Sequence, residues 1–446
     1  MHLESQNIDR SKDDKGMNIM GISMPVYLIL TLSITLAVWL DVTPHNMLTG
    51  FVFALSWGGL LSWLGTRSKK FDLAGGPSLL CLFVPTTLLF FGIIPDHFDR
   101  LARLFLTGVI GYIDFFIAAL ISGSILSMNR NILVKAGTRY AVPLVGGVIL
   151  ALSLTGFLGS ISSYGLRESL REVAIPVMAG GIGAGAIPIA QMYTMHDPGE
   201  TAWLSILLPA AVLANLLSIL FAALLSVLGQ KRDRFFKNFS GQGALMQEGS
   251  TEFDLKEDPG SKIGQFTDMG LGLILAGALF TFGSLISRLF FPMIHAYAWT
   301  ILAAIILKLM NILPSRLEKG AKEWYGLVSV IGVPTILVVT SLAVIEMHVI
   351  VQVFADPVYV MLVTFCTIAA MLSAGFIGLL VKMNFVEAAI TAGLCMANMG
   401  GSGDIATLGA ARRMNLMPFA QISSRLGGAL MLFIASVMAP WLVFAI

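Results

Sequence analysis

A single arginine near the C-terminus is the side chain best suited to binding an anion. Arg425 lies in AQISSRLGG at 420–428, early in a long apolar segment. An arginine within a membrane span is costly and needs a partner. The candidates are a substrate carboxylate, held by two parallel hydrogen bonds, and the side chain of Asp404. The competing interpretation is that Arg425 reaches along the helix to the cytoplasmic membrane face; we favour the binding role.

Four side chains close to Arg425 in the sequence carry oxygen atoms that suit a hard cation. Asn398, Ser402, Asp404 and Ser424 supply amide, hydroxyl and carboxylate oxygens. Such groups, together with carbonyls of a broken helix, commonly coordinate sodium in transporters. The alternative is that they only satisfy the polar backbone of a broken helix. The set therefore predicts a sodium site, with polar packing as the competing interpretation.

Two glycine-rich motifs could bind an anion through the backbone. GGIGAG occupies 180–185 and GGSGD occupies 400–404. Glycine allows a sharp turn and lets a ligand approach the backbone closely. A helix that begins just after such a turn points its free N–H groups and its positive dipole end at the turn. Glycines also permit tight helix packing, but two matched motifs favour a binding role.

The elements that must position these residues are membrane helices. The chain has 446 residues, of which 56% are hydrophobic and 12% charged, against about 25% charged in soluble proteins. Segments long enough to cross the bilayer as helices of about 20 residues lie at 24–40, 47–65, 78–95, 112–128, 140–160, 201–228, 268–290, 296–313, 326–345, 357–381 and 417–446. The sequence therefore predicts an all-α polytopic membrane protein with eleven transmembrane helices.

Two further apolar stretches, 173–190 and 386–411, contain the glycine motifs and are too broken to be plain spans. We expect each to be a re-entrant hairpin, whose tip is tolerated only where protein or a water-filled cavity satisfies its backbone. An odd number of spans separates them, so they would open from opposite membrane faces. That is the pattern of an inverted-topology repeat, with its binding sites near mid-membrane.

Basic residues then assign the domains and their sides. Most of the 28 Lys and Arg residues fall on one side of the predicted topology, which the positive-inside rule identifies as cytoplasmic. We expect a cytoplasmic N-terminal tail at 1–23, a first membrane half at 24–228, a cytoplasmic linker at 229–266 and a second half at 267–446. The C-terminus would face outside, and the linker is expected to be a solvated connector.

Other residues carry weaker signals. Glu387 begins the second hairpin and Asp114 begins the fourth span, where either could serve as a helix N-terminal cap. No HExxH, GxSxG or Walker motif is present, which argues against a membrane-embedded hydrolase or an ATP-driven pump. The three cysteines lie in apolar stretches without metal-ligand spacing. We expect no enzyme activity, no resident cofactor and no nucleic-acid partner.

The tips and their surroundings resemble the bacterial 2-hydroxycarboxylate transporter family, which includes sodium–citrate, sodium–malate and citrate–lactate carriers. The matching stretches are AGGPS at 74–78, FIAALISGSILSMNR at 116–130, AGGIGAGAIPIAQMY at 179–193, and the run from AITAGLCMANMGGSGD through RMNLMPFAQISSRLGG at 389–428. The resemblance implies a homodimer in the bacterial inner membrane, with eleven spans and two re-entrant hairpins. It also implies an elevator-like movement of one domain against a fixed dimerisation domain.

The resemblance also implies roles for individual residues. Substrate would meet the backbone of the first tip at Gly181, Ile182 and Gly183 and that of the second tip at Gly401 and Ser402, and Arg425 would hold a carboxylate. Sodium would be bound by the carbonyls of Met396 and Gly403 together with Asn398, Ser402, Asp404 and Ser424.

Two departures from the sodium–citrate symporters bear on the substrate. Their first tip reads GGNG where this chain has Ile182, and they carry an arginine where this chain has Met399. Fewer polar partners favour the smaller charge, because an unpaired buried carboxylate is costly. We therefore expect sodium-coupled symport of a 2-hydroxydicarboxylate such as malate. Citrate symport, exchange of citrate or malate with lactate, and proton coupling are the alternatives, and a channel or an enzyme is less favoured.

Overall fold

The computed structural model describes residues 18–68, 71–72, 75–107, 111–128, 130–198, 203–230, 235–247 and 266–443. Residues 1–17 of the predicted tail at 1–23, parts of the linker and residues 444–446 lie outside them. A short antiparallel pair of strands, Asn18–Ile19 and Ile22–Ser23, precedes the first helix. The rest of the described chain is almost entirely helical.

Long helices and two pairs of short arms make up the molecule. The helices are Met24–Trp39, Met47–Gly65, Gly76–Phe90, His97–Thr107, Tyr112–Leu126, Arg130–Ile161, Trp203–Leu228, Phe266–Leu289, Ala296–Met310, Ser315–Leu327 with its continuation to Ala343, Met347–Ala355, Pro357–Leu380, and the last helix, Met417–Ile422 with its continuation to Val443, preceded by the single turn Met414–Leu416. The first pair of arms comprises Leu166–Glu168 continuing to Val177 and Ile182–Ala186 continuing to His196. The second comprises Phe385–Ala388 continuing to Leu394 and Gly401–Ala410.

Local sequence explains where several helices begin. The Asn46 side chain accepts a hydrogen bond from the Thr49 N–H, and Asp356 does the same for Val358. Both are N-terminal caps that satisfy a helix donor. Pro357 follows Asp356 at the first helical position, where the missing N–H costs nothing.

Seven helices in the described part of the chain are long and apolar enough to cross a membrane, or eight if the bent pair His97–Thr107 and Tyr112–Leu126 counts as one span. Three shorter apolar helices coincide with the remaining predicted segments: Met24–Trp39, Gly76–Phe90 and Ala296–Met310. The prediction of a polytopic all-α membrane protein is thereby confirmed. The number of eleven spans stays a prediction.

Large apolar side chains cover the outside of the bundle. Leu380 is 81% exposed, Val330 73% and Leu32 65%. Soluble proteins rarely display continuous apolar surface on this scale, whereas lipid tails solvate it. The exposed surface thus agrees with a bilayer environment.

Apart from Met347–Ala355, which contacts both, the helices form two groups, judged by which of them contact each other most extensively. What we call the wall group contains Met24–Trp39, Met47–Gly65, Gly76–Phe90, His97–Thr107, Tyr112–Leu126, Phe266–Leu289, Ala296–Met310 and the helix from Ser315 to Ala343. The tip group contains Arg130–Ile161, both pairs of arms, Trp203–Leu228, Pro357–Leu380 and the last helix. The cavity described below lies between the two groups.

Several helices contain a π-helical turn, in which one extra residue is inserted. Four of those in the described residues belong to the tip group, at Ser169–Ala174, Ile182–Ala186, Ala389–Leu394 and Ser423–Gly427. A fifth, Val328–Gly332, lies in the wall group. Such turns are rare in proteins as a whole, and those that occur are often at functional sites. Here Ile182–Ala186 overlaps the first glycine motif, Ala389–Leu394 precedes the second, and Ser423–Gly427 contains Arg425.

Part of the predicted linker differs from a solvated connector. Residues 235–247 pack against the start of the second pair of arms, and Phe239, Ser240 and Leu245 are buried there. The backbone of this segment bonds to the chain at 382–386. The charged residues on either side of this segment favour a solvated connector. The apolar side chains at 235–246 instead pack against the folded protein.

Candidate functional site: two glycine tips facing a helical wall

The two glycine motifs meet backbone to backbone. Each breaks a helix at a pair of glycines with positive φ: Gly180 (+70°) and Gly181 (+138°), and Gly400 (+68°) and Gly401 (+22°). A Cβ on Gly181 would stand 2.9 Å from the Met399 carbonyl oxygen, and one on Gly400 would stand 2.7 Å from the Gly180 carbonyl oxygen. Only glycine combines this conformation with this approach. The tips therefore form one structure.

A cavity of about 350 Å³ opens beside the joined tips. Most of the residues predicted for substrate line it: Gly181, Ile182, Gly183, Gly401 and Arg425. Asp404 and Ser424, which were predicted for sodium, also line it. The wall group contributes Leu120, Ser124, Tyr325 and Ser329 among others. The structure thus brings the predicted anion-binding groups to one surface.

Arg425 lies in the π-helical turn Ser423–Gly427 and reaches from the tip group to the wall group. Its guanidinium lies 5.1 Å from the centre of the Tyr325 ring, and its Nη1 donates to the Ser127 hydroxyl at 3.4 Å. Among the described residues, no carboxylate lies within ion-pair distance of it. The expected alternative of an ion pair with Asp404 is therefore not formed. Within the described structure the guanidinium therefore has no anionic partner, and Arg425 lines the cavity.

Asp404 instead organises a buried cluster of oxygens behind the second tip. It is fully buried, and its two carboxylate oxygens accept from Asn398 Nδ2 at 3.0 Å and from the Ser424 hydroxyl at 2.8 Å. Asn398 Oδ1 in turn accepts from the Gly400 N–H at 2.7 Å. Three of the predicted sodium side chains are thereby brought together. The side chain of Ser402 lies outside the described structure.

Backbone oxygens complete the predicted cation set. Met396 lies in the irregular turn 395–400 between the second pair of arms, and Gly403 lies in the first turn of the arm that follows. Carbonyls of such unwound backbone are typical sodium ligands in transporters. In the described part of the chain, no group of three or more His, Cys, Asp or Glu side chains could hold a metal. The sodium site stays a prediction.

Two residues of the site were missed at the sequence level. Thr407 accepts a hydrogen bond from Asn398 at 3.2 Å, and Asn215 accepts one from the Met399 N–H at 3.1 Å. Asn215 is buried within the long apolar helix Trp203–Leu228. An amide at the middle of such a helix is unusual enough to mark a functional or structural partner, so this residue could have been found.

Charge in the cavity is sparse. Arg425 and Asp404 are the only charged residues lining it within the described structure, and Ile182 and Met399 add apolar surface. Both carboxylate oxygens of Asp404 already accept hydrogen bonds, from Asn398 and Ser424. One strong cationic group is thus available to a bound anion, with the tip backbone as its supplement.

A cavity at two touching helix breaks inside a multi-pass membrane protein is the arrangement typical of solute transporters. The chain belongs to the 2-hydroxycarboxylate transporter family, whose model matches residues 19–437.

Similar proteins come from several bacteria. The Na(+)-malate symporter of Bacillus subtilis is 35% identical over 92% of this chain and 89% of its own length. The malate transporter MleP of Lactococcus lactis is 32% identical over 95% of this chain and 98% of its own. The citrate/sodium symporter of Klebsiella pneumoniae is 30% identical over 95% and 94% respectively.

Proposed function

We propose that the protein is a secondary active transporter that carries a C4 2-hydroxydicarboxylate such as malate together with sodium. The observation that carries the proposal is the cavity itself, which is lined by Arg425, by both glycine tips and by Asp404 and Ser424 of the buried oxygen cluster. The sodium–malate symporter of Bacillus subtilis, to which the chain is 35% identical, supports the same choice.

The substrate would bridge the tips and Arg425. One carboxylate would accept two hydrogen bonds from the Arg425 guanidinium. The other carboxylate would accept hydrogen bonds from the backbone N–H groups at Gly181–Gly183 and Gly401–Ser402. The arms begin there, and the helix dipole favours negative charge. The apolar surface at Ile182 and Met399 offers no partner to a third carboxylate, which would be costly to bury unpaired. A dianion therefore fits this cavity better than citrate.

Sodium would bind behind the second tip. Its ligands would be the side chains of Asn398, Ser402, Asp404 and Ser424 and the carbonyls of Met396 and Gly403. Because Ser424 and Arg425 are adjacent, a cation at this cluster and an anion on Arg425 would order the same helical turn. Coupling also has an energetic reason: the inside-negative potential opposes entry of an anion by about 2.3 kcal/mol per charge per 100 mV.

The architecture would operate by alternating access of the elevator type. The tip group would carry substrate across the membrane while the wall group stays fixed in a homodimer. Three features support this: a helix at each of the eleven predicted segments, a pair of short helical arms at each tip, and matching pairs of positive-φ glycines that suggest an inverted repeat. The N-terminus would be cytoplasmic and the C-terminus outside, in the inner membrane.

Uptake into proteoliposomes tests the proposal. We expect saturable accumulation of labelled malate under an inward sodium gradient and little under an equal potassium gradient. Equal uptake driven by a proton gradient alone would contradict sodium coupling. Uptake that does not saturate would indicate a channel.

Citrate transport or exchange is a second candidate, because citrate/sodium symporters and a citrate transporter of Lactococcus lactis are about 30% identical to the chain. A counterflow assay with citrate, malate, lactate and succinate distinguishes this candidate from sodium–malate symport. Citrate competing better than malate would favour this candidate.

A further inference from the structure

A buried ion pair closes the base of the second pair of arms. Glu387, in the first turn of the first arm, is fully buried, and Arg413, just past the end of the second arm, is 5% exposed. Arg413 Nε donates to Glu387 Oε1 at 2.9 Å. The Arg413 Nη1 also donates to the Ala411 carbonyl at 2.8 Å. The acidic residue thus sits at a helix N-terminus and the basic one at a helix C-terminus, both favourable for the helix dipole.

The linker segment 235–247 holds the same base from outside. Glu387 accepts hydrogen bonds from the Gly241 N–H at 2.7 Å and the Gly243 N–H at 3.0 Å, so it does not act as the simple helix cap considered from sequence. Arg413 Nη2 donates to the Ser240 hydroxyl at 3.1 Å. Asn415, beyond the second arm, donates to the Gly243 carbonyl at 2.7 Å. One short segment therefore binds both ends of the second pair of arms.

Further linker carbonyls satisfy the start of the first arm. The N–H groups of Phe385 and Val386 donate to the carbonyls of Asn238 and Phe239 at 3.1 and 3.0 Å. These are donors that a helix leaves without internal partners. The first pair of arms is built differently: its ion pair joins the neighbours Arg171 and Glu172 within one arm, and no ion pair connects its two arms in the described structure.

We propose that Glu387 and Arg413 are positioning residues for the sodium site at the second tip. The first arm leads from Glu387 to Asn398, and the second leads from Asp404 to Arg413. The oxygen cluster depends on the Asn398–Asp404 contact across the tip. A base held by a buried ion pair keeps the two arms in register, so their tip presents a preformed cation site. This inference rests on the sodium coupling proposed above.

The test is whether sodium stabilises the purified full chain in detergent, measured as Tm at increasing sodium concentrations. The quantity compared between variants is the sodium concentration that produces a fixed rise in Tm, which we call the sodium midpoint. A ligand that binds only the folded state raises Tm with its concentration. For Glu387→Gln and Arg413→Gln we expect the sodium midpoint to rise about fivefold or more, a usual size for coupling between sites. The double variant should shift it no further than the larger single change, because both remove one interaction. The sodium midpoint for malate uptake in proteoliposomes should move in parallel.

Glu172→Gln is the matched control, since it breaks an ion pair within one arm of the first pair and should leave the sodium midpoint unchanged. A lower Tm in Glu387→Gln with an unaltered sodium midpoint would overturn the inference and leave a purely structural role. If that variant does not unfold cooperatively, Ser240→Ala keeps both charges and removes one hydrogen bond of Arg413; we expect its midpoint to rise about twofold, and an unchanged value overturns the inference. If sodium does not raise the Tm of the wild-type protein, the proposed sodium coupling itself is contradicted. That outcome is distinct from failure of the positioning role of Glu387 and Arg413.

Discussion

At the scale of single residues, Arg425 is the side chain on which the cavity depends. It lies in the last helix, which belongs to the tip group, but its side chain contacts Tyr325 and Ser127 of the wall group. A bound carboxylate would compete with these weak contacts, because two charge-assisted hydrogen bonds are stronger than one long bond and a ring contact. Substrate binding would thus exchange a contact between the helix groups for one within the tip group.

Replacing Arg425 should weaken substrate binding more than it slows turnover. Charged hydrogen bonds are worth about 1.5–3 kcal/mol, so we expect Arg425→Ala to raise the KM for malate uptake by roughly tenfold or more. Arg425→Lys should give an intermediate KM, because lysine keeps the charge but not the planar fork. Tyr325→Phe is the control, since it retains the ring. An unchanged KM in Arg425→Ala would refute the carboxylate role.

At the scale of elements, the tips show why helix breaks and glycines occur together. The arms on either side are helical, so their ends leave N–H and carbonyl groups without partners. Bringing two such ends into contact is possible only where the backbone turns with positive φ and carries no side chain. The close approach of Gly181 to the Met399 carbonyl therefore gives the first motif a packing role, in addition to the binding role that the sequence favours.

A methyl group at the first tip should disrupt transport without unfolding the protein. In Gly181→Ala the new Cβ would lie 2.9 Å from a backbone oxygen at a φ of +138°, and strain of this kind costs about 1–3 kcal/mol. We expect the initial rate of malate uptake to fall by about tenfold or more at equal amounts of reconstituted protein.

Gly409→Ala is the matched control for this change, because it lies in the second arm with nothing within 4 Å of its Cβ position. Its uptake rate should stay close to that of the unmodified protein. Normal uptake by Gly181→Ala would show that the close approach of the tips is not needed for transport.

At the scale of the whole molecule, function would require the tip group to move against the wall group. Few polar contacts join the two groups in the described structure. One is between the His295 N–H, at the start of helix Ala296–Met310, and the Ser436 hydroxyl on the last helix, at 2.7 Å. Such contacts must break and re-form if the groups slide past one another.

A cross-link at this contact should therefore stop transport. We expect His295→Cys with Ser436→Cys, in a background lacking Cys81, Cys366 and Cys395, to lose most malate uptake after oxidation and to regain it on reduction. Each single-cysteine variant under the same oxidation is the control. Full uptake by the cross-linked protein would rule out relative movement of these two groups.

Much of the fold was predictable because its causes are local. The lengths of the apolar segments follow from bilayer thickness, and a helix lies at each of them. The glycine pairs were recognised because positive φ is a property of single residues. Glu387 shows the limit: its position at a helix start suggested capping, but its partners are Gly241, Gly243 and Arg413, which no local pattern reveals.

By itself, the sequence determined that this chain is a predominantly helical membrane protein with two glycine-rich helix breaks, an arginine within an apolar helix and a set of oxygen-bearing residues. Those features depend on hydrophobicity and backbone freedom, which each segment carries independently of its neighbours. Only the tertiary structure decided that Arg425 meets Tyr325 instead of Asp404, that Thr407 and Asn215 join the second tip, and that the linker holds the base of its arms. The reason is that these contacts join residues far apart in the chain or on different helices, so they exist only once the helices have packed.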